Sequence, residues 1–201
     1  MKFFLLAIIF FLNLQSLTKA NDISDFEIEG FSIGDSLLDY FSKSNLEKEL
    51  RSEFSFKYKD NRFVGVGVGQ TDEFPLFKKL DQFDEVTITI KPNDKKYLVH
   101  GISGEMLCYN NIDKCRSVKD QIINDLKDNF TGIEVDSWEL DHPDDKTGKS
   151  TVYGNDLKSD NLNFNISVSI YDMSDDKYND SVKLSIKTVE LDNFIKYEAY
   201  E

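Results

Sequence analysis

Histidine, cysteine and basic side chains are scarce in this 201-residue chain, which limits the metal sites, disulfide bonds and nucleic-acid contacts that it can form. Two cysteines permit at most one internal disulfide bond. The 24 Lys and Arg residues are outnumbered by 37 Asp and Glu, which gives a formal net charge of −13. A protein that grips the phosphate backbone of nucleic acids needs a basic face, and this composition argues against one. With 40% hydrophobic residues, the chain nevertheless has too many apolar side chains to be disordered throughout.

Long apolar runs are equally scarce, and the one example, residues 3–12, directly follows Lys2. A basic start, about ten apolar residues and a small residue such as Ala20 are typical of a secretory signal peptide. The run is too short to span a bilayer, which takes about 20 apolar residues. We expect cleavage after Ala20, a periplasmic or secreted protein, and no stable membrane insertion; an uncleaved interfacial anchor is the alternative. Loss of Lys2 and Lys19 with residues 1–20 changes the formal charge from −13 to −15.

Both cysteines, Cys108 and Cys115, lie in the mature chain. An exported chain meets an oxidising compartment, where two cysteines seven residues apart most simply form a disulfide bond. A zinc site needs about four nitrogen or sulfur ligands at short spacings, and neither His100 nor His142 lies in this loop. The sequence therefore predicts a Cys108–Cys115 disulfide and no metal site.

Hydrophobic periodicity predicts short helices and strands after the signal peptide. A first helical stretch is expected near Asp35, and a second begins at a capping box formed by Ser44 and Glu47. A longer amphipathic helix is predicted over 112–130, capped by Asn111, and a tail helix over 192–200. Alternation of apolar and polar residues predicts strands at 54–58, 64–68, 86–90, 97–102, 133–140, 151–157, 162–170 and 181–187.

Glycines occupy every second position near one predicted strand, at Gly65, Gly67 and Gly69. Such a strand has one bare face, over which a neighbouring aromatic ring can lie. The candidates for this packing precede the turn before the strand: Phe54, Phe56 and Tyr58. We interpret the pattern as a packing feature that needs no ligand.

The order of these elements predicts a single α+β domain over 21–201, with an antiparallel sheet covered on one face by helices. Each half of the chain contains a helix, then strands, then a hairpin with a long polar turn. This order also favours two related α-β halves, 30–107 and 108–201, although their residues do not repeat well.

The chain contains no complete catalytic, cofactor or metal motif. Gly148-Lys149-Ser150 resembles the end of a phosphate-binding loop, but Pro143 stands where that loop needs a glycine. The acidic segment 172–180 lacks the glycine and the closing glutamate of a calcium-binding loop. The fragment 100–104 departs from the Gly-x-Ser-x-Gly pattern of serine hydrolases.

The two histidines are the residues best suited to acid–base chemistry. His100 is expected in mid-strand, pointing the same way as its apolar neighbours, as a hydrogen-bonded structural residue. His142 lies in a polar loop that forms a candidate polar site of four residues: Asp141, His142, Asp144 and Asp145. A solvated acidic loop is the simpler interpretation, because neighbours in sequence seldom point at one centre.

Residues 28–41, 100–104 and 142–150 resemble a group of small, uncharacterised exported proteins of marine alphaproteobacteria. This resemblance covers most of the mature chain and implies export without a particular activity. Residues 33–41 are also similar, more faintly, to the first helix of BamE-like outer-membrane assembly modules, in which two helices pack against an antiparallel sheet. Those modules carry a lipid-anchoring cysteine after the signal peptide, and this chain has none there.

These features together predict an exported soluble module that binds or interacts with other molecules in the periplasm. Its expected partner is an unknown protein or envelope component, contacted through the sheet face or the acidic loops; no nucleic acid, cofactor or metal is expected. The alternative is a hydrolase that uses carboxylates with His142 or His100. That activity requires a pocket in which a histidine meets acids with perturbed pKa values.

Overall fold

The computed structural model describes residues 26–71, 73–130, 132–142, 145–158, 163–174 and 178–199, so the predicted signal peptide lies outside it. The helices are α1 (Lys43–Glu49), α2 (Ile112–Asn129) and α3 (Val189–Tyr197). The strands are β1 (Phe56–Lys57), β2 (Val64–Val68), β3 (Glu85–Ile90), β4 (Val99–Leu107), β5 (Glu134–Asp141), β6 (Thr151–Lys158), β7 (Phe164–Asp172) and β8 (Ser181–Thr188). None of these helices is long and apolar enough to cross a membrane.

All eight strands form one antiparallel sheet in the order β1-β2-β3-β4-β8-β7-β6-β5. The chain meanders from β1 to β4, passes through α2 to the far edge, and meanders back from β5 to β8. The last strand therefore pairs with β4, in the middle of the sheet. An antiparallel sheet together with helices confirms the α+β class predicted from the sequence.

One face of the sheet, here called the inner face, is apolar across most of its width. Register pairs join seven residues on seven strands into one row: Val66, Ile88, Ile102, Ile186, Ile166, Leu157 and Val135. All but Val135 are buried. Because side chains alternate between the two faces of a strand, the next row lies on the opposite side, here called the outer face. That row is polar, with Thr87, Ser103, Ser185 and Ser167.

The helix α2 covers the inner face with the apolar stripe that its sequence predicts. Four residues of the stripe are buried in the same core as the strands: Cys115, Ile122, Leu126 and Phe130. The Asn111 side chain caps the helix by accepting a hydrogen bond from Lys114 N at 3.0 Å. The predicted Cys108–Cys115 disulfide is present and ties the first turn of α2 to the end of β4.

The helix α3 lies on the outer face, so helices occupy both faces rather than the one face expected from the sequence. Its Leu191 packs on Gly101, where an added Cβ would come within 2.6 Å of Leu191 Cδ2. Gly101 alternates with the inner-face residue Ile102, and its bare backbone provides the room for this contact. Leu191 joins a small separate cluster around Phe63. Thr188 caps α3, which therefore begins three residues before its expected start.

The segment before β2 is less regular than its sequence predicts. The first predicted helix is only a 3-10 turn, Leu37–Asp39. Ser42, rather than Ser44, caps α1, because Ser42 has extended backbone angles and its side chain accepts a hydrogen bond from the helix's first turn. Ser44 lies inside that first turn instead. The strand expected at 54–58 is reduced to the two residues of β1.

Aromatic residues pack against Gly67 of β2 and against Gly69 just after it, but the ring over these glycines is not one that the sequence predicts. An added Cβ at Gly67 would lie 3.4 Å from the Cβ and the backbone oxygen of Phe54, one of the expected partners, and 3.5 Å from the ring of Phe74. The ring of Phe74, which is not among the expected partners, covers Gly69 so closely that an added Cβ would come within 2.1 Å of it. The rings of Phe54 and Phe74 stack with their centroids 4.3 Å apart. Any side chain at Gly69 would displace this pair.

A glutamate is buried beside β2, at the end of α1. Glu49 is 0% exposed, and its Oε1 accepts a hydrogen bond from Gly67 N at 3.1 Å. Its other oxygen, Oε2, has no hydrogen-bond partner among the described residues. Burial raises the pKa of Glu49 above its ordinary value, against hydrogen bonds from Gly67 and Ser52 that lower it. The side chain thus satisfies a strand N–H at the cost of burying a carboxylate.

Replacing Glu49 with Gln should stabilise the protein at pH 8, because the amide oxygen can still accept from Gly67 while the buried charge is gone. A raised folded-state pKa means that ionised Glu49 costs stability above that pKa, and the cost disappears below the unfolded value of 4.5. Denaturant unfolding should show a gain of about 1 kcal/mol for Glu49→Gln at pH 8 and little at pH 4. Glu49→Ala should destabilise at both pH values; equal effects of Gln and Ala would contradict this account.

Candidate functional site

The outer face ends in a concavity beside the start of β8. Its floor is a row of three residues in register: Leu107 on β4, Ser181 on β8 and Tyr171 on β7. Described residues from the β5–β6 and β7–β8 connections also line it, among them His142 and Tyr178. The concavity has a volume of about 530 Å³. This is enough for a small ligand or for several side chains of a partner.

An ion pair and an aromatic ring lie together in the concavity. Lys183 Nζ is 3.2 Å from Glu105 Oε2 and 4.9 Å from the centroid of the Tyr171 ring. The pair follows from the sheet register, since Lys183 and Glu105 are direct cross-strand neighbours in β8 and β4. Burial lowers the pKa of Lys183, but Tyr171 and Glu105 raise it by more, so the net shift is upward. The Lys183 side chain is therefore a fixed cation.

A second carboxylate extends this row onto β3. Glu85 lies directly opposite Glu105 in the β3–β4 register. Burial raises the pKa of Glu85 and the charge of Glu105 raises it further, while Lys183 lowers it. Two acids and one lysine therefore share one row of the outer face, and the row is negative when all three are ionised.

Asp145 shapes one wall of the concavity rather than offering a free carboxylate. Its oxygens accept hydrogen bonds from Thr147 N and Ser150 N, both at 2.8 Å, and from the Thr147 hydroxyl at 2.7 Å. The hydrogen bonds from Thr147 and Ser150 hold the pKa of Asp145 well below its usual range. Asp145 is thus the charged acceptor that organises residues 145–150.

The structure brings together only part of the predicted polar site. His142 and Asp145 both line the concavity. Asp141 alternates with the outer-face residue Leu140, so it turns to the inner face at the end of β5. Asp144 lies outside the described residues. Within the ranges given above, no group of three or more His, Cys, Asp or Glu residues is arranged to hold a metal ion.

The two histidines lie toward opposite ends of β4. The His142 ring is 5.8 Å from that of Tyr171, beside the concavity. His100 stands at an irregularity in the β3–β4 register, with its ring 5.5 Å from Phe63 of the α3 cluster. Burial lowers the pKa of His100 and the charge of Lys91 lowers it further. Its Nδ1 has no partner among the described residues, so the hydrogen bond expected for a structural histidine is not seen at that atom.

The residues at the centre of the concavity are not among those predicted from the sequence. Tyr171 and Lys183 lie on the consecutive strands β7 and β8, whereas Glu105 lies on the distant β4, and only the pairing of β8 with β4 brings Glu105 to the other two. A partial signal was present, because each residue takes an outer-face position in an alternating strand. The alternation within each strand does not show which strands pair, so it could not place these three positions in one site.

Replacing Asp145 with Ala should loosen residues 145–150, because the N–H groups of Thr147 and Ser150 lose their acceptor. Their amide hydrogens should exchange with solvent roughly tenfold faster, as measured by NMR. Asp141→Ala removes a carboxylate from the adjacent strand end and is the matched control, which should leave both amides unchanged. Unaltered exchange in Asp145→Ala would show that the carboxylate does not organise the loop.

The chain matches no protein-family model, no curated protein and no solved structure. The resemblance to exported alphaproteobacterial proteins and to BamE-like modules therefore stays a prediction. What can be inferred about function has to come from the geometry of the outer face.

Proposed function

We propose that this protein is an exported binding module whose outer face recognises a protein or an envelope component. The observation that carries the proposal is the concavity at the β4–β8–β7 end of the outer face. The rest of the fold supports it, because α2 covers the inner face, whereas Tyr171 and Met173 at the concavity stay partly exposed and Tyr178 is exposed.

The composition of the concavity is that of a recognition surface. Four of its residues supply apolar or aromatic area: Leu107, Tyr171, Met173 and Tyr178. Tyr178 is 50% exposed. Tyrosine is favoured in binding sites, because its rigid ring buries a large area at a small cost in side-chain entropy. The ion pair of Glu105 and Lys183 adds fixed charges that orient a partner.

Hydrolysis is the second candidate, favoured by the presence of His142 beside acids in the concavity. Both acids are already engaged: Asp145 accepts hydrogen bonds from its own loop, and Glu105 is paired with Lys183. A general base works best with a pKa near the operating pH, whereas the pKa of Asp145 is lowered. Binding is therefore the function that the geometry supports better.

We further infer that the halves 30–107 and 108–201 are related α-β units. The strand order supports this inference, because β1–β4 and β5–β8 are both four-stranded meanders that meet at the β4–β8 pair. A helix precedes each meander, α1 before the first and α2 before the second. Joining two such units gives each a larger core than a four-stranded sheet has alone.

The proposal places the protein in the periplasm or outside the cell, on the basis of the signal-peptide pattern and the disulfide bond. When the full chain is expressed in a bacterium, the protein in the exported fraction should begin at Asn21. Its intact mass should correspond to residues 21–201 with one oxidised cysteine pair. Accumulation in the cytoplasm with residues 1–20 attached would contradict export.

A photo-crosslinking residue at Tyr178 should capture a discrete partner in the exported fraction, because this side chain lies at the rim of the concavity. The matched control is the same residue at Tyr197, which is 67% exposed on α3 and should give no such adduct. Tyr178→Ala should then weaken binding of the captured partner roughly tenfold. A monomeric protein that gives identical adducts at both positions, or none, would count against a binding site in the concavity.

A further inference from the structure

The strand β5 forms one edge of the sheet, and no strand in the described part of the chain pairs with its free side. It runs from Glu134 to Asp141 in unbroken register with β6, and six of its eight residues are exposed. At the opposite edge, β1 has only two residues. A long edge strand presents unpaired N–H and C=O groups on which another chain can add a strand.

One hydrogen bond identifies which backbone groups of β5 face outward. His142 N donates to Ser150 O at 2.9 Å, one position beyond the register pair of Asp141 and Thr151. In an antiparallel ladder, opposed residues alternate between hydrogen-bonded and non-hydrogen-bonded pairs. Even-numbered residues of β5 therefore bond to β6. Odd-numbered residues direct their N–H and C=O groups away from the sheet: Val135, Ser137, Glu139 and Asp141.

The side chains along this edge differ in chemistry between the two faces. On the inner face, Glu139 and Asp141 are exposed and stand two residues apart. On the outer face, Trp138 is half-buried and Leu140 is 46% exposed. The strand contains four acidic residues and no Lys or Arg. Glu134 and Asp136 also lie on the outer face, so the separation into an acidic inner face and a partly apolar outer face holds for the second half of the strand, residues 138–141.

We propose that the free edge of β5 binds an extended segment of another protein in which basic and apolar residues alternate. The main chain of that segment bonds to the odd-numbered residues of β5. Its Lys or Arg side chains lie beside Glu139 and Asp141, and its apolar side chains lie beside Trp138 and Leu140, as the two-residue period of a strand requires. The site is separate from the concavity and does not rest on the function proposed there.

Charge favours such a partner over a second copy of this chain. Two β5 strands side by side would bring acidic edges together, and the cation available on β6, Lys158, is already paired with Asp136 at 2.6 Å. Like charges opposed across a strand pair destabilise it, whereas opposite charges stabilise it. The formal charge of −13 adds attraction for a basic partner at longer range.

The test uses the full-length oxidised protein and a capped synthetic peptide of alternating Lys and Val residues, followed by NMR hydrogen exchange. Peptide binding should protect the amides of the odd-numbered β5 residues roughly tenfold or more. The amides of Trp138 and Leu140 already bond to β6 and should change little. A peptide of the same composition with its lysines and valines in two blocks cannot present one basic and one apolar face, so it should bind more weakly.

Two substitutions at one position separate charge from main-chain hydrogen bonding. Glu139→Gln keeps the outward N–H and should weaken peptide binding roughly threefold, with a smaller difference at high salt. Glu139→Pro also removes the outward N–H, which a sheet edge tolerates, and should abolish the protection. Asp120→Asn removes an exposed charge from α2 and is the matched control, which should bind the peptide as the wild type does.

If Glu139→Pro does not fold, two N-methylated peptides replace it. One is methylated at its odd-numbered residues and the other at its even-numbered residues, whose N–H groups lie along opposite edges of an extended strand. Only the peptide whose methylated edge faces β5 should fail to bind. Unprotected odd-numbered amides at saturating peptide, or equal binding of the block peptide, would overturn the proposal. If the protein self-associates through β5 in the absence of peptide, its partner is a second copy of this chain, and the proposal of a basic partner is overturned. The Tyr178→Ala variant should bind the peptide as the wild type does. A negative result for binding at the concavity therefore leaves the β5 proposal standing, and the reverse also holds.

Discussion

The pairing of β4 with β8 is the contact on which the rest of the structure depends. It joins Gly101–Leu107 to Ser181–Lys187 through seven register pairs, and it is where the two four-stranded meanders meet. On the inner face, Ile102 and Ile186 make the apolar row continuous across the sheet, so that α2 can cover one core rather than two. Without this pairing, each meander would present an apolar face too small to be stable alone.

Different contacts close the two ends of the β4–β8 pair, and the concavity lies at the end that α3 does not cover. At one end, Leu191 of α3 packs on the bare backbone of Gly101 and covers the outer face. At the other end, Cys108 N donates to Asp180 O at 2.7 Å, and the disulfide to Cys115 fixes α2 on the opposite side. None of the described residues that line the concavity belongs to α3, so α3 does not cover the outer face at this end. The floor of the concavity is therefore built on the same paired strands that carry the core on their inner face.

Features whose signal is local could be predicted from the sequence, whereas features that depend on distant partners could not. The stripe and the Asn111 cap of α2 lie within one short segment, and the structure has both. The outer-face position of α3 depends on Gly101, far away in the chain, and no pattern within α3 indicates it. The ion pair of Glu105 and Lys183 likewise needs the long-range register of β4 with β8. For the same reason, the predicted polar site contained two residues of the concavity and omitted its central charges.

The acidic excess has several separate roles in this fold, beyond keeping the chain in solution. Asp145 uses its charge to organise a loop, whereas the acids of β5 lie along a sheet edge. A long edge strand without charges invites indiscriminate pairing with other chains, and natural sheets avoid this by short edge strands or by charged ones. Here β1 is protected by its length of two residues and β5 by its negative charge. The two protections are not equivalent: a short strand offers no template to any chain, but a charged strand repels only chains of its own sign. Of the two edges, β5 is therefore the one that can pair selectively.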